Sequence, residues 1–551
     1  MKEIYQPNNP ITGDYDVNCA AVCKNGAFVG IVNEGVTAFR GIPFAEPPVG
    51  PLRWKEPMPA SAREGVFEAL HNGPTAIQTE LDSERASFYH QSEDCLYLNV
   101  WTAKDFVGAK RPVMVFIHGG NYGWGGTADP LYDGHNFVAS HPEIVLVTIA
   151  YRVGIFGFMD FSSVPGGEAF PKSGNLGLLD QICALRYIRE NIESFGGDPD
   201  NVTIFGESAG AGSVSLLPLI PAAKGLFSRV IAESGSIALT YSREEMQPLT
   251  RQLLKHSGAK TMADLCALSE AELKKINEKV GQTNNFPERD GIVLPMDLYA
   301  AYKNGEAYPV DMLIGTNADE LRYWILDLGG LAPFRQTGYL MYEGVMKQFD
   351  KQDRRRVNEF LRLQAKKGIT SKPYQVTELF NELLFRLPAV SQGEMHAANG
   401  NRVYQYYWTY PSSIPHLKAC HAVELAYVFG NLRETIYTGE NPREELSETV
   451  RQMWTNFART GDPSIEGTVW TPYTARDRGT MLLGEKIGLE KDWRETERKY
   501  LLPLLRYRIN GNSLNLTAGL NKFLITAAIV AGVSAAALLL RFLFNRDSSD
   551  E

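Results

Sequence analysis

In FGESAG (205–210) a lone serine, Ser208, stands between an acid and an alanine, with a glycine at each end. It follows the apolar run Val202-Thr203-Ile204 directly. A G-x-S-x-G turn between a strand and a helix lifts a serine hydroxyl to the strand end, where it can attack a carbonyl. The turn is so tight that side chains at 206 and 210 would collide with the flanking elements, and Gly206 and Gly210 remove them. The helix that starts there offers unpaired N–H groups and a positive dipole end to a developing oxyanion, and Ala209 supplies one such N–H. A serine hydroxyl is a poor nucleophile at neutral pH, so it needs a base, and the base needs an orienting acid. Nine histidines compete for the first role. His118, in IHGGN, reads as a support for its glycine turn. His71, His90, His135, His141, His256 and His396 lie in polar or helical contexts and read as surface residues. His416 and His421, in IPHLKACHAVELAYVFG, fall after the serine, which fits the chain order Ser, acid, His. The acid should lie between them, at a strand end. VDMLIGTNADELRYW (310–324) offers a strand and then Asp319-Glu320. Spacing leaves both acids and both histidines open.

The elements that must position these groups are legible as alternating apolar runs and helical stretches. PVMVFIHGG (112–120) and EIVLVTIAYR (143–152) read as buried strands ending in turns. GNLGLLDQICALRYIRENIESFGG (174–197) reads as an amphipathic helix closed by glycines, and NVTIFGESAGAGSVSLLPL as strand, turn, helix. Such alternation predicts an α/β fold with a mainly parallel central sheet and helices on both faces. Residues 242–310 and 343–400, more charged and helix-rich, are expected to be insertions that cap the sheet. The expected domain is 1–505, followed by a polar, Gly/Asn-rich linker over 506–522.

The sequence resembles the type-B carboxylesterase/cholinesterase family of α/β-hydrolases from about Gly30 to Pro503. The segments FRGIPFAEPPVGPLRW (39–54), SEDCLYLNVW (92–101), YRVGIFGF (151–158), FGESAGAGSVS and NFARTGDP (456–463) carry the likeness. The resemblance implies an α/β-hydrolase fold and a serine carboxylesterase working through an acyl-enzyme. It implies Ser208 as nucleophile, Glu320 of GTNADE as acid and His421 of HAVELAYVFG as base. It implies an oxyanion hole of Gly120, Asn121 and Ala209, with Asn121 standing where the family commonly has glycine. Ser234 in ESGS matches a family serine that supports the acid. A gorge lined by Tyr122, Trp124, Leu239 and Phe158 is expected. The segment IQTELDSERASFYHQSED has no Trp to hold a quaternary ammonium by cation–π contact, so choline esters are not the expected substrate. No metal or organic cofactor is implied. Two other readings keep the fold: a lipase acting on membrane lipid esters, and a catalytically silent binding or adhesion module.

Net charge is −9 with no basic block, so nucleic acid is not an expected partner. Six scattered cysteines do not make a disulfide framework, and Cys19 and Cys23 have no further ligands close by in sequence for a metal. Against the resemblance, Ala76 stands where a partner for Cys95 is usual, and Ala259 where a partner for Cys266 is. The lost bridges suit a reducing compartment, as does an N-terminus without an apolar signal core. FLITAAIVAGVSAAALLL (523–540) is uncharged and, at ~1.5 Å per helical residue, long enough for a hydrocarbon core. Lys522 and Arg541 bracket it as interfacial anchors. The expectation is a single-pass C-terminal membrane anchor over 523–540, a short polar tail over 541–551, and a catalytic domain in the cytosol. The expected partner is a small-molecule ester; the sequence assigns no oligomeric state.

Overall fold

The structure is a computed structural model that describes residues 5–79, 89–280, 285–327 and 329–509. Its centre is an eleven-stranded sheet. In chain order the strands are β1 (Ile31–Asn33), β2 (Val36–Pro43), β3 (Tyr97–Ala103), β4 (Arg111–Ile117), β5 (Val145–Ile149) and β6 (Gly197–Glu207). They continue with β7 (Arg229–Glu233), β8 (Asp311–Asn317), β9 (Val403–Trp408), β10 (Thr480–Leu483) and β11 (Gly488–Glu490). Across the sheet they run β1-β2-β3-β5-β4-β6-β7-β8-β9-β10-β11. Every pairing from β5 to β10 is parallel. The pairings at both margins are antiparallel. The sheet is therefore mixed, parallel through the middle as expected, with antiparallel edges that the sequence reading did not include.

The central strands are apolar on both faces because both are covered. Along β4, Val113, Val115 and Ile117 point into one core while Met114 and Phe116 point into the other. The first core is closed by α1 (Leu176–Asn191) and α2 (Ala209–Leu216), through side chains such as Leu178, Ile182 and Val214. The insertion that follows carries α3 (Arg243–Ser257) and α4 (Glu270–Val280). Ser242 and Glu245 form a reciprocal capping box that fixes the start of α3. The second insertion carries α5 (Leu331–Gln348), α6 (Lys351–Lys366), α7 (Lys372–Phe380) and α8 (Leu387–Ala398), beginning earlier than the expected residue 343. The second core is closed by α9 (Glu444–Thr460), with Val450, Trp454 and Phe457 facing the sheet.

Three expectations need correction. Helix α1 is buried on most of its surface rather than amphipathic, and it holds Asp180 inside by pairing it with Arg152 at 2.6 and 2.8 Å. His141 and His396 are buried, not surface residues; the His396 ring bonds the Val310 carbonyl at 2.9 Å. Residues 506–509 belong to the folded body rather than to a linker. Arg506 pairs with Asp350 at 2.9 Å, Tyr507 donates to Asp353 at 2.8 Å, and Ile509 is buried. Among the described residues no helix is long and apolar enough to cross a membrane. The rest of the expected linker, the 523–540 run and the tail lie outside the described residues.

Candidate active site

Register brings the site together at the carboxyl ends of the parallel strands, where open α/β sheets place their ligands. Ile117 pairs with Gly206 and Glu207 with Glu233. Glu233 in turn pairs with Gly315, and Asn317 with Trp408. Ser208 follows β6 and caps α2 with φ 56° and ψ −117°. A serine held there costs about 1–3 kcal/mol of backbone strain, which only a well-packed surround sustains. That surround is visible at the two glycines. A Cβ on Gly210 would lie 1.9 Å from the Ile117 carbonyl oxygen, and one on Gly206 would lie 2.6 Å from the same atom. The strand, the turn and the helix thus meet at backbone distance, and Ser208 remains half-buried at their junction.

The HGGN loop lies against this turn. A Cβ on Gly119 would sit 2.8 Å from Glu207 Oε2 and 3.2 Å from Ser208 Cβ. Gly120 has φ 104°, and Asn121 and Tyr122 follow in the left-handed region at 57° and 56°. His118 props the loop: Nδ1 lies 2.8 Å from the Gly119 carbonyl, and the ring stacks on Tyr151 at 4.3 Å. Burial pushes its pKa down to about 4, so it is neutral. Ala209, the third expected donor, is the first residue of α2, where an α-helix leaves its N–H groups without intrahelical partners.

The structure separates the paired candidates. His421 Nδ1 lies 2.6 Å from Glu320 Oε2, and the His421 N–H donates to the Glu320 carbonyl at 3.2 Å. Glu320 Oε1 accepts from the Asn317 N–H at 2.7 Å. Asp319 instead pairs with Arg322 at 2.9 Å, and His416 is exposed. The other imidazole nitrogen, Nε2, lies 3.1 Å from Glu207 Oε1. Among the described residues no hydrogen bond joins Ser208 Oγ to the imidazole. The His421 imidazole is thus oriented by Glu320 and faces the residue that precedes the serine.

The Carboxylesterase family model matches residues 20–501. The chain is 36% identical over 500 residues to the para-nitrobenzyl esterase of Bacillus subtilis, covering 87% of this chain and 97% of that one. It belongs to the carboxylesterase family. The liver carboxylesterase of Sus scrofa is 34% identical over 503 residues, 82% of this chain and 85% of the other. The crystal structure of the Geobacillus stearothermophilus carboxylesterase EST55 superposes with a TM-score of 0.77 at 33% identity, over 88% of this chain and 99% of that one. The fold is that of the α/β-hydrolases, and the protein is a carboxylic ester hydrolase.

This carboxylesterase surrounds its imidazole with more carboxylates than its motifs announced. Glu207, Glu233, Glu320 and Glu424 are all buried. Burial, then the Glu207, Glu320 and Glu233 charges, push Glu424 well above the carboxylate range. Burial raises Glu233 to about 8, offset in part by the Trp454 Nε1–H bond at 2.8 Å. Glu233 thus holds its proton at neutral pH. His421 is raised to about 9: its burial acts the other way, and Glu207 and then Glu320 outweigh it. Burial, and like charges crowded there that disfavour one another's ionisation, are why Glu233 and Glu424 are shifted upward.

Ser234 does not support Glu320 as expected; its hydroxyl lies 3.4 Å from Glu424 Oε1. Glu424 also accepts from the Asn317 side chain, which donates to the Cys420 carbonyl at 2.8 Å. Tyr122 and Phe158, expected along a gorge, are fully buried and pack edge to face at 4.9 Å. The left-handed turn at 121–122 places Tyr122 under α2, where its hydroxyl would lie 2.5 Å from a Cβ on Gly212. Trp124 and Leu239 stay half-buried, and Leu239 lies 3.3 Å from that same Gly212 position. Three aromatic residues were missed, the first being Tyr323, which meets the His421 ring edge to face at 5.8 Å. Trp324 stacks on the His421 ring at 5.8 Å, and Phe385 meets it at 5.0 Å. All six cysteines are free thiols.

Proposed function

We propose that the chain hydrolyses small and medium acyl esters through a Ser208–His421–Glu320 triad. Substrate entry turns His421 Nε2 from Glu207 to Ser208 Oγ, a tightening that resting hydrolase sites commonly need. Nε2 takes the hydroxyl proton as Oγ attacks the ester carbonyl. The N–H groups of Gly120, Asn121 and Ala209 hold the oxyanion, each worth ~10²-fold or more in rate. The imidazolium returns the proton to the leaving alcohol, and water then cleaves the acyl-enzyme through the same base. Glu320 fixes the tautomer, and Glu207 adds negative charge beside the imidazolium. Trp124, Leu239 and Trp324 border the ester. The observation that carries this reading is the 2.6 Å contact of His421 with Glu320 beside a strained Ser208.

The proposal includes a tether: residues 523–540 hold the enzyme to a membrane, with the catalytic domain on the cytosolic side. The uncharged run and its flanking Lys522 and Arg541 support it. Assays of p-nitrophenyl esters across chain lengths, with Ser208→Ala and His421→Gln beside wild type, test the chemistry. Loss of at least 10³-fold in both variants is expected; a folded wild type that neither hydrolyses esters nor takes a fluorophosphonate label makes the chain a binding module. A rate that climbs with chain length and with a lipid interface moves the substrate to membrane lipid. Protease protection in sealed vesicles tests the side: a fully protected catalytic domain contradicts the cytosolic placement.

A further inference from the structure

Asn317 is the last residue of β8 and is buried. Its backbone N–H donates to Glu320 Oε1 at 2.7 Å. Its side chain reaches the loop that carries His421. Nδ2 has two hydrogens and meets two acceptors, the Cys420 carbonyl at 2.8 Å and Glu424 Oε2. A backbone carbonyl only accepts, so the amide nitrogen must face Cys420, and the amide's orientation is settled. Asn317 Oδ1 has no hydrogen-bond partner among the described residues. The side chain therefore acts through its two donors.

Those donors bracket a strained turn. Ala422, directly after His421, stands in the left-handed region at φ 63°. An alanine lacks glycine's freedom there, so its surroundings must hold it. Asn317 binds this turn at residue 420, before the histidine, and at residue 424, after it. The peptide unit between Cys420 and His421 is thus held at both ends. Its C=O is taken by Asn317, and its N–H by the Glu320 carbonyl at 3.2 Å. That unit is planar, so fixing both ends fixes its rotation and the direction in which the chain enters His421. The Asp319 N–H donates to the Ala419 carbonyl at 2.9 Å, one peptide upstream, and does not hold the unit that follows. Ser234 meets Glu424 at Oε1, the oxygen that Asn317 leaves free.

We propose that Asn317 is a positioning residue for the reaction: it holds the turn over 421–424 in the conformation that sets the His421 imidazole against Glu320. One residue thereby serves both partners, the acid through its backbone and the base through its side chain. It touches neither the ester nor the reacting atoms. Asn317→Leu keeps nearly the same shape and loses both side-chain donors. The peptide before His421 can then rotate, Ala422 can leave the left-handed region, and Nδ1 can draw away from Glu320. No charge is added or removed, and Glu207, Glu320 and Glu424 still act on the imidazole. The effect on turnover rests on the triad proposed above; the effect on the contact between His421 and Glu320 does not.

The test compares wild type, Asn317→Leu and the smaller Asn317→Ala as full chains. Proton NMR reads the contact itself. A hydrogen held between Nδ1 and Oε2 at 2.6 Å resonates at low field, and its absence from His421→Gln assigns it. In both Asn317 variants this signal should vanish or move upfield. Turnover of p-nitrophenyl acetate should fall at least tenfold in kcat, with KM within twofold of wild type. The pH limb of kcat/KM should move toward acid by at least about half a unit, because a loosened Glu320 favours the imidazolium less. In a Glu320→Gln background the charged contact is already gone, so adding Asn317→Leu should cost less than threefold more. A low-field signal and a pH limb that both stay in place overturn the proposal, as does a full tenfold loss in the Glu320→Gln background. Asn317 would then serve stability alone. Should Asn317→Leu fail to fold, Asn317→Ala carries the same readouts. Undiminished turnover in Glu320→Gln by itself would count against the triad, and the NMR comparison would still judge Asn317.

Discussion

Replacing Glu207 by Gln keeps the side chain's shape and removes one charge from beside the base. Glu207 Oε1 lies 3.1 Å from His421 Nε2, and at an effective dielectric of about 20 a full charge pair at that distance is worth about 5 kcal/mol. One pH unit corresponds to about 1.4 kcal/mol, so a quarter of that interaction moves the imidazole by about one unit. In the proposed triad only neutral His421 accepts the serine proton, and Glu207 favours the protonated form, so wild-type kcat/KM should rise with pH through an apparent pKa above 6.5, toward about 9. In Glu207→Gln that limb should move at least about one unit toward acid. The plateau should fall about tenfold, because the imidazolium formed in the transition state loses the same stabilisation. The assay is a kcat/KM profile for p-nitrophenyl acetate from pH 5.5 to about 10 in buffers of constant ionic strength, each point checked for retained fold. A limb that stays within about 0.3 unit of wild type would refute the electrostatic account of His421.

Other changes test the packing. Glu233 has a folded pKa near 8, above its unfolded value, so its contribution to stability is complete below about 4.5 and is lost as pH rises through 8. Its share of the wild-type loss between pH 7 and 9 is about 1.4 kcal/mol, and denaturant titrations should show Glu233→Gln losing that much less. Gly210→Ala drives a Cβ to 1.9 Å from the Ile117 carbonyl and should cost at least about 2 kcal/mol, read as a fall in urea midpoint or as insoluble expression; wild-type stability contradicts the elbow geometry. Arg152→Met leaves Asp180 buried without its partner and should cost about 3–5 kcal/mol; under about 1 kcal/mol would mean that Asp180 is solvated by another route.

Much of this site could be read from residue order. Ser208 was legible because a G-x-S-x-G turn between an apolar run and a helix has one steric purpose, and Gly206 and Gly210 meet the Ile117 backbone as that purpose requires. Glu320 and His421 were not separable from Asp319 and His416 by spacing, since each pair shares one short segment; only the family resemblance chose between them. The buried carboxylates were missed for a different reason. Glu207 and Glu233 become neighbours through the β6–β7 register, and no local pattern in either strand announces it. The sole hints were that Glu207 adjoins the serine and that Glu424 follows His421 by three residues. Tyr122 was misplaced because an aromatic residue after a glycine loop can face a gorge or a core. Two successive left-handed residues, invisible in composition, decided for the core. The end of the body was set too early at 505 because RYRI reads as polar linker, while ion pairs to Asp350 and Asp297 fold it back.

The central claim is that the Ser208 hydroxyl carries the acyl group between two half-reactions. Wild-type protein mixed with p-nitrophenyl acetate, quenched with acid within the first turnover and digested, is to be mapped by peptide mass. The account predicts an acetyl group on the peptide containing Ser208, at near one equivalent and absent from Ser208→Ala. Hydrolysis that proceeds with no acetylated Ser208 at any quench time, or at an undiminished rate in Ser208→Ala, would contradict it.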